Sequence, residues 1–331
     1  MSEHAIEVKG LSKSFRTYDV KGGGFFGSFG RRYYNKKALD VVSFTVDEGE
    51  LIALLGRNGS GKSTLVKILT GILFPDKGYV NVLGFDPWHE RIKLAKEIGV
   101  VLGAHGQLFT DLPAIDAFEF MRKIYNVPKK SYERRLNTFL DALDVREVYR
   151  RQVRTLSLGE QMKCNFIASV LHGPKVVFLD EPTIGVDLLS KAALTRTIME
   201  MNKNENTTFI LTTHIVEDIA IAKRILILNR GNLMFDGSRE KLEGLFGGKV
   251  RIDLRLITDV QPGAYARYGK IVEKGRNSVK LEVSKDTLKR PAFIKLLSSK
   301  SVVDYRVSEI GLTNILSRLY LSMEKKPHKK G

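Results

Sequence analysis

An α/β protein with a buried, largely parallel central sheet is what three features of this chain predict. The first is a strand-length apolar run, Leu51-Ile52-Ala53-Leu54-Leu55, that enters a glycine-rich loop and then a helix. The second is a pair of similar runs, Val176-Val177-Phe178-Leu179 and Phe209-Ile210-Leu211-Thr212, that end in Asp180-Glu181 and Thr213-His214. The third is size: 331 residues, 43% apolar and 27% charged, suffice for two domains and a large core.

The loop after the first run reads Gly56-Arg57-Asn58-Gly59-Ser60-Gly61-Lys62-Ser63, with Thr64 next. It fits G-x-x-x-x-G-K-[ST] in the strand–loop–helix context that makes the pattern a phosphate site. Gly56, Gly59 and Gly61 allow successive N–H groups to turn inward on one anion. The helix that begins near Lys62, with Leu65, Ile68 and Leu69 at helical spacing and Gly71 as its stop, adds the positive end of its dipole. Lys62 brings a full charge to the β- and γ-phosphates, and the Ser63 hydroxyl can ligate Mg²⁺. Asp180 ends an apolar strand, where P-loop proteins keep the acid that holds Mg²⁺. Glu181 beside it can polarise a water for attack on a γ-phosphate. His214 stands at the carboxyl edge of the sheet, where ligands bind in open α/β folds.

The other elements follow in order. Residues 5–18 alternate as a strand through Ile6, Val8 and Leu11. Asp19 to Lys37 reads as an insertion carrying Gly22-Gly23-Gly24, aromatics and basic residues. It is either a flexible solvated loop or a contact to an anionic membrane surface. Alternation resumes over 38–48. A turn at Phe74–Gly78 precedes a short strand at Tyr79–Val82, and Ile98–Leu102 is a further buried strand running into the polar loop Gly103–Gln107. From Ile115 to Phe166 the helical period dominates. Ile225–Leu228 and Asn229–Asn232 form a strand and hairpin turn. Beyond Leu245 the strands at 250–256 and 279–283, with helices around Phe293 and around Leu312–Leu319, suit a small α+β domain. The basic tail 325–331 reads as disordered.

Composition narrows the classes. A single cysteine, Cys164, excludes an intramolecular disulfide and suits a reducing compartment, with the thiol as a packing residue. No apolar run approaches the ~18 residues that span a bilayer, and the N-terminus lacks a signal peptide's apolar core. The net charge of +17 calls for acidic partners without choosing among nucleic acid, nucleotide and an anionic membrane.

One further stretch points to a family. Leu156-Ser157-Leu158-Gly159-Glu160-Gln161 lies one apolar helix upstream of the Asp180-Glu181 strand. With the other stations in the same order, residues 5–240 resemble an ABC-type ATPase, the nucleotide-binding subunit of ABC transporters. The resemblance implies an ABC-type P-loop NTPase fold: a RecA-like core sheet, an antiparallel β subdomain and a helical insert at about 108–172. The ATPase domain would span 1–240, with an accessory α+β domain at 245–324. It implies a signature motif at Leu156–Gln161, in which Ser157, Gly159 and Glu160 reach nucleotide; Walker B at Val176–Glu181; and a D-loop at Ile184–Asp187, with Asp187 at the site. It also implies a switch histidine at His214, and Gln107 as the glutamine that touches nucleotide and Mg²⁺. The adenine-stacking aromatic maps best onto Phe15, with Tyr18 and Tyr34 as alternatives. Leu158 replaces the usual glycine and Glu160 the usual glutamine; Ser157 and Gly159 keep the family pattern.

Within the family, the run Val100–Glu119, with Gln107-Leu108-Phe109-Thr110-Asp111-Leu112-Pro113, is similar to ATPases of ABC-2-type export systems. Arg57, where proline is commoner, resembles polysaccharide and teichoic-acid exporters, and Glu309–Leu316 resembles the end of an accessory domain on such proteins. The resemblance implies ATP and Mg²⁺ as cofactors and a second copy of the chain closing over ATP. It also implies a separate transmembrane permease and a peripheral place on the cytoplasmic face of the cell membrane. The alternative is a non-transport ABC ATPase acting on nucleic acid or the ribosome. A single cassette, with only residues 64–155 between loop and signature and no sustained heptads, weighs against it. A P-loop kinase or GTPase would need neither the signature nor His214.

Overall fold

The computed structural model of the chain describes residues 4–20, 31–103, 108–244, 249–258, 263, 265–309 and 315–316. The chain divides into two compact units, Met1–Ser238 and Arg239–Gly331.

The first unit opens with a long antiparallel arm, β1 (Ile6–Val20) against β2 (Arg31–Val46). The expected insertion at 19–37 is therefore corrected: β1 runs on to Val20 and β2 starts at Arg31, so only residues 21–30 lie outside the described residues. Side-chain pairs across the arm account for this. Tyr18 meets Tyr33 edge to face at 5.9 Å, and the Arg16 guanidinium lies 4.5 Å from the Tyr33 ring centre. Aromatic pairs of this kind stabilise a two-stranded ribbon beyond the reach of the core.

β3 (Leu51–Leu55) follows, buried at every position, and then α1 (Lys62–Leu69). β4 (Lys77–Val82) pairs with β1 to complete a three-stranded antiparallel sheet in the order β2-β1-β4. α2 (Arg91–Glu97) buries only Leu94, which is why no apolar stripe announces it in the sequence, and it leads into β5 (Ile98–Leu102). The helical stretch consists of α3 (Ala114–Ile124), α4 (Lys129–Ala142), a 3-10 turn at Val153–Thr155 and α5 (Leu158–Val170). α5 is buried almost all round from Met162 to Val170, the condition of a helix packed on several sides. β6 (Val176–Asp180), α6 (Leu188–Glu205), β7 (Thr208–Thr213), a 3-10 turn at Val216–Ile221, β8 (Arg224–Asn229) and β9 (Asn232–Ser238) complete the unit. α6 was not expected: its buried side, Ser190, Leu194, Thr197, Ile198 and Met201, keeps the helical spacing but mixes hydroxyls with apolar residues.

The central sheet has the order β5-β6-β7-β3-β8-β9; all neighbours are parallel except β8 and β9. Its parallel strands are nearly continuous apolar runs because helices cover both faces. In the second unit, α7 (Arg239–Gly244) precedes β10 (Lys249–Leu256), β11 (Lys270–Lys274), β12 (Ser278–Ser284), α8 (Lys285–Leu288), α9 (Pro291–Leu297) and β13 (Val302–Glu309). These strands form an antiparallel sheet in the order β11-β12-β10-β13, with its own core of Ile252, Leu254, Leu281 and Phe293. Of the expected final helix, Ile315 and Leu316 are described as buried and helical; the rest of it and the tail 325–331 lie outside the described residues.

His172, just past α5, carries a pH-dependent contact. Its ring stacks on Tyr125 at 3.9 Å and 7°, its Nε2 lies 3.1 Å from the Ile98 carbonyl oxygen, and burial pushes its pKa down to about 4. The unfolded chain takes up this proton near the ordinary value of ~6.5, before the folded chain does. Stability from this site is therefore complete above pH ~6.5 and falls as the pH drops toward 4, by on the order of 3 kcal/mol. His172→Phe, which keeps the ring stack, is expected to lose less stability than the parent chain between pH 7.5 and 4.5. Equal losses in denaturant titrations at the two pH values would remove His172 from the acid response.

Candidate nucleotide site

The sheet order sets the site. β7 lies between β3 and β6, with Leu55 opposite Thr213 and Asp180 opposite Thr212. The loop after β3 and the acids at the end of β6 therefore emerge at one edge, two strand spacings apart. α1 begins directly at Lys62, and Gly61 forms its N-terminal boundary at φ +111. A Cβ on Gly61 would stand 2.4 Å from the Ala38 carbonyl oxygen, so glycine is required there on both counts.

The Lys62 side chain is 4% exposed; its Nζ donates to the Gly56 carbonyl oxygen at 2.8 Å and lies 3.3 Å from Glu181 Oε1. Glu181 takes φ +54, a left-handed conformation that costs a non-glycine residue roughly 1–2 kcal/mol. Its backbone N–H donates to the Thr212 carbonyl oxygen and hydroxyl, at 3.1 and 3.0 Å, and these bonds hold the turn. The Thr212 hydroxyl in turn donates to Asp180 Oδ1. His214 Nδ1 lies 3.4 Å from the same Glu181 oxygen that faces Lys62. Lys62 and His214 thus converge on the Glu181 carboxylate, and the preceding residue, Asp180, is buried.

Lys62, Asp180 and Glu181 border a cleft of about 520 Å³ whose walls include Asn58, Gly59, Ser60, Ser63 and Thr64 of the loop; His214 touches Glu181 without lining it. Phe15 and Lys36 form its outer side. They are register partners across β1 and β2, so both side chains leave the arm on one face. Tyr18 and Tyr34 do not line the cleft. The buried Ser60 hydroxyl has no hydrogen-bond partner, which leaves the loop an unused polar group.

The signature residues stand elsewhere. Ser157 caps α5: its hydroxyl accepts from the Glu160 N–H at 3.3 Å, while Glu160 Oε2 accepts from the Ser157 N–H at 2.7 Å. Glu160 is thus engaged as the reciprocal half of a capping box. A Cβ on Gly159 would come within 2.8 Å of both Asp187 Oδ2 and Ser190 Oγ, so the start of α5 packs directly on the start of α6. Asp187 caps α6 by accepting from the Ser190 N–H at 2.9 Å, and that backbone bond holds its carboxyl below the usual range. Ser157, Gly159, Glu160 and Asp187 do not line the cleft around Lys62. Arg57 and Gly56 belong to the loop without lining the cleft, and Gln107 lies outside the described residues.

Sequence reasoning missed three parts of this site. Lys36 was assigned to an insertion, and only strand pairing brings it beside Phe15. Thr212 looked like the end of an apolar strand, although a hydroxyl in that position was a visible signal. Asp218 was not singled out: it accepts from the Thr183 and Thr213 hydroxyls and pairs with Lys191, tying the segment after Glu181 to the end of β7.

A P-loop ATPase cassette is the class that this sheet and cleft define. The family described as ABC transporter matches residues 39–184. The daunorubicin resistance ATP-binding protein DrrA3 of Streptomyces coeruleorubidus is 32% identical over 234 residues, covering 71% of this chain and 73% of that protein. The ABC transporter ATP-binding protein NatA of Bacillus subtilis is 27% identical over 232 residues, covering 69% of this chain and 93% of that protein. A solved structure of an ATP binding subunit of an ABC transporter superposes with a TM-score of 0.62 at 25% identity, over 73% of this chain and 93% of that one. The chain belongs to the ABC transporter ATP-binding proteins, and it is an ATP-binding, ATP-hydrolysing subunit. Among the described residues no helix is long and apolar enough to cross a membrane.

Thr212→Val keeps the shape of a side chain that is wholly buried but removes one bond to Asp180 and one to the Glu181 amide. Loss of roughly 1–3 kcal/mol of stability is expected, with Thr212→Ser close to the parent. Calorimetry on the two variants checks this; a Val variant as stable as the Ser variant would show that the hydroxyl does not hold the acids.

Proposed function

We propose that two copies of this chain close on ATP held between them and drive export through a separate membrane-spanning permease. The observation that carries this reading is the division of the site. One cleft gathers the phosphate loop, Lys62, Asp180 and Glu181, while Ser157 and Gly159 stand apart from it on α5. A γ-phosphate on the loop of one copy is completed by the Ser157 hydroxyl and the Gly159 N–H of the other, both at the N-terminus of a 13-residue helix. ATP then joins the pair, and loss of the γ-phosphate opens it.

Within each cleft, backbone N–H groups from Gly59 to Thr64 and the Ser60 hydroxyl receive the phosphates, and Phe15 stacks on the base. Lys62 exchanges its contact with Glu181 for the phosphate oxygens. Glu181 is the general base that takes the proton of the attacking water, and His214 orients its carboxylate from 3.4 Å. The residues fit Mg²⁺ bound together with phosphates. Among the described residues no group of three or more His, Cys, Asp or Glu could cage a metal, whereas Ser63 and the buried Asp180 supply the few oxygens such an ion takes. Gln107 is a further candidate ligand. When bound, Mg²⁺ neutralises phosphate charge.

Export is supported by the likeness to a daunorubicin resistance protein and by the run Gln107–Pro113. The permease docks on the exposed apolar group formed by Phe109 and Leu112 of this run with Phe120 and Ile124 of α3, where Phe109 and Phe120 meet at 5.7 Å. This puts the protein on the cytoplasmic face of the membrane, with the basic, aromatic arm of β1 and β2 toward anionic headgroups. The second unit, which contains the accessory domain expected at 245–324, is accessory to this engine.

Glu181→Gln is expected to bind ATP and to hydrolyse it about 10²–10⁴-fold more slowly, the scale of a lost general base. Near-parent turnover would remove Glu181 from that role. Glu181→Gln should also dimerise with ATP and not with ADP in light scattering. Ser157→Arg should abolish both dimer and turnover; full ATPase activity in Ser157→Arg would exclude a shared site.

A further inference from the structure

The second unit holds a cleft of about 580 Å³ that the ATPase does not use. Arg267, Arg290 and Lys295 stand around it, with Tyr268 and Phe293 as an aromatic wall and the buried Thr287 at its side. No acid lines it. Among the described residues none of the three cations takes part in an ion pair, although nearby cations of the same unit are paired: Lys280 with Glu273 and Arg251 with Glu282. Arg267 is held in place by the Tyr268 ring, 4.8 Å from its guanidinium, and Tyr268 is held by Phe293 at 5.4 Å. Three like charges gathered on one concave surface repel each other, and among the described residues no carboxylate pairs with them to offset this. The surrounding sequence has the same bias: residues 239–331 contain 21 Lys and Arg against 10 Asp and Glu, a net +11 of the chain's +17.

We propose that this cleft binds a phosphate ester, with Arg267, Arg290 and Lys295 on the phosphate and the Tyr268–Phe293 wall against the group that carries it. Two arginines and a lysine suit phosphate better than carboxylate. The guanidinium forks can each span two oxygens, and the ammonium supplies a further charge to the dianion. The cleft volume admits a small ester or a headgroup and no folded partner. The site would make the second unit a sensor or anchor, distinct in ligand and place from the nucleotide cleft.

The test uses the full chain with ADP saturating the nucleotide cleft, so that phosphate binding there does not contribute. Glycerol 3-phosphate is titrated by calorimetry, and in parallel the chain is floated with vesicles of phosphatidylcholine containing or lacking phosphatidic acid. Binding in either arm is expected to weaken about tenfold or more in Arg290→Gln/Lys295→Gln, both exposed positions, with ATP turnover unchanged. Glycerol 3-phosphate binding identifies a soluble ester as the source, and vesicle binding alone identifies a lipid headgroup. The proposal is overturned if neither probe binds, or if the double variant binds as the parent does. It is also overturned if glycerol 3-phosphate is ignored and RNA competes the chain off the vesicles equally well in parent and variant. The Glu181→Gln and Ser157→Arg results do not bear on any of these outcomes.

Discussion

Everything at the nucleotide cleft depends on β7 lying between β3 and β6 in parallel register. Strands sit about 4.8 Å apart, so one intervening strand sets the phosphate loop and the Asp180-Glu181 pair roughly 10 Å from each other. That gap suits a phosphate chain with a metal ion beside it. β7 also supplies the clamp: the Thr212 hydroxyl and carbonyl hold Asp180 and the strained turn at Glu181 in place. Without that clamp the φ of +54 at Glu181 would relax and turn the carboxylate away from Lys62.

A second constraint operates at the start of α5 and α6. Gly159 has no room for a side chain against Asp187 and Ser190, so these two helix beginnings are in direct contact. The segment between Glu181 and α6 is tied back to β7 through Thr183, Asp218 and Lys191. A change at the Glu181 carboxylate therefore has a packed route to the start of α5, where Ser157 and Gly159 stand. The route consists of short hydrogen bonds and a close backbone contact, which have few alternative arrangements.

Charge is distributed unevenly between the units. The ATPase unit comes nearer to balance, with 33 Lys and Arg against 27 Asp and Glu over residues 1–238; Arg224, for example, pairs with Asp236 and Glu50 across neighbouring strands. The second unit carries most of the excess. Its surface, more than its core, sets it apart, since Ile252, Leu254 and Leu281 make an ordinary apolar interior for a four-stranded sheet.

The sequence alone determined the parallel sheet, the phosphate loop, the acids and the family. Each is written in contiguous residues: an unbroken apolar run buried on both faces, glycines at fixed spacing, carboxylates directly after a strand. The tertiary structure decided what distant segments do to one another. Lys36 reaches the cleft only through its register with Phe15, and Thr212 gains its role only because β7 lies beside β6. The arm at 19–37, read as an insertion from its glycines and lysines, is strand up to Val20 and from Arg31, because Tyr18, Tyr33 and Arg16 meet across it. α6 is hidden in sequence by hydroxyls at buried positions. The physical reason is common to Lys36, Thr212 and the arm: side chains separated along the chain interact only once strand order and register have set them side by side.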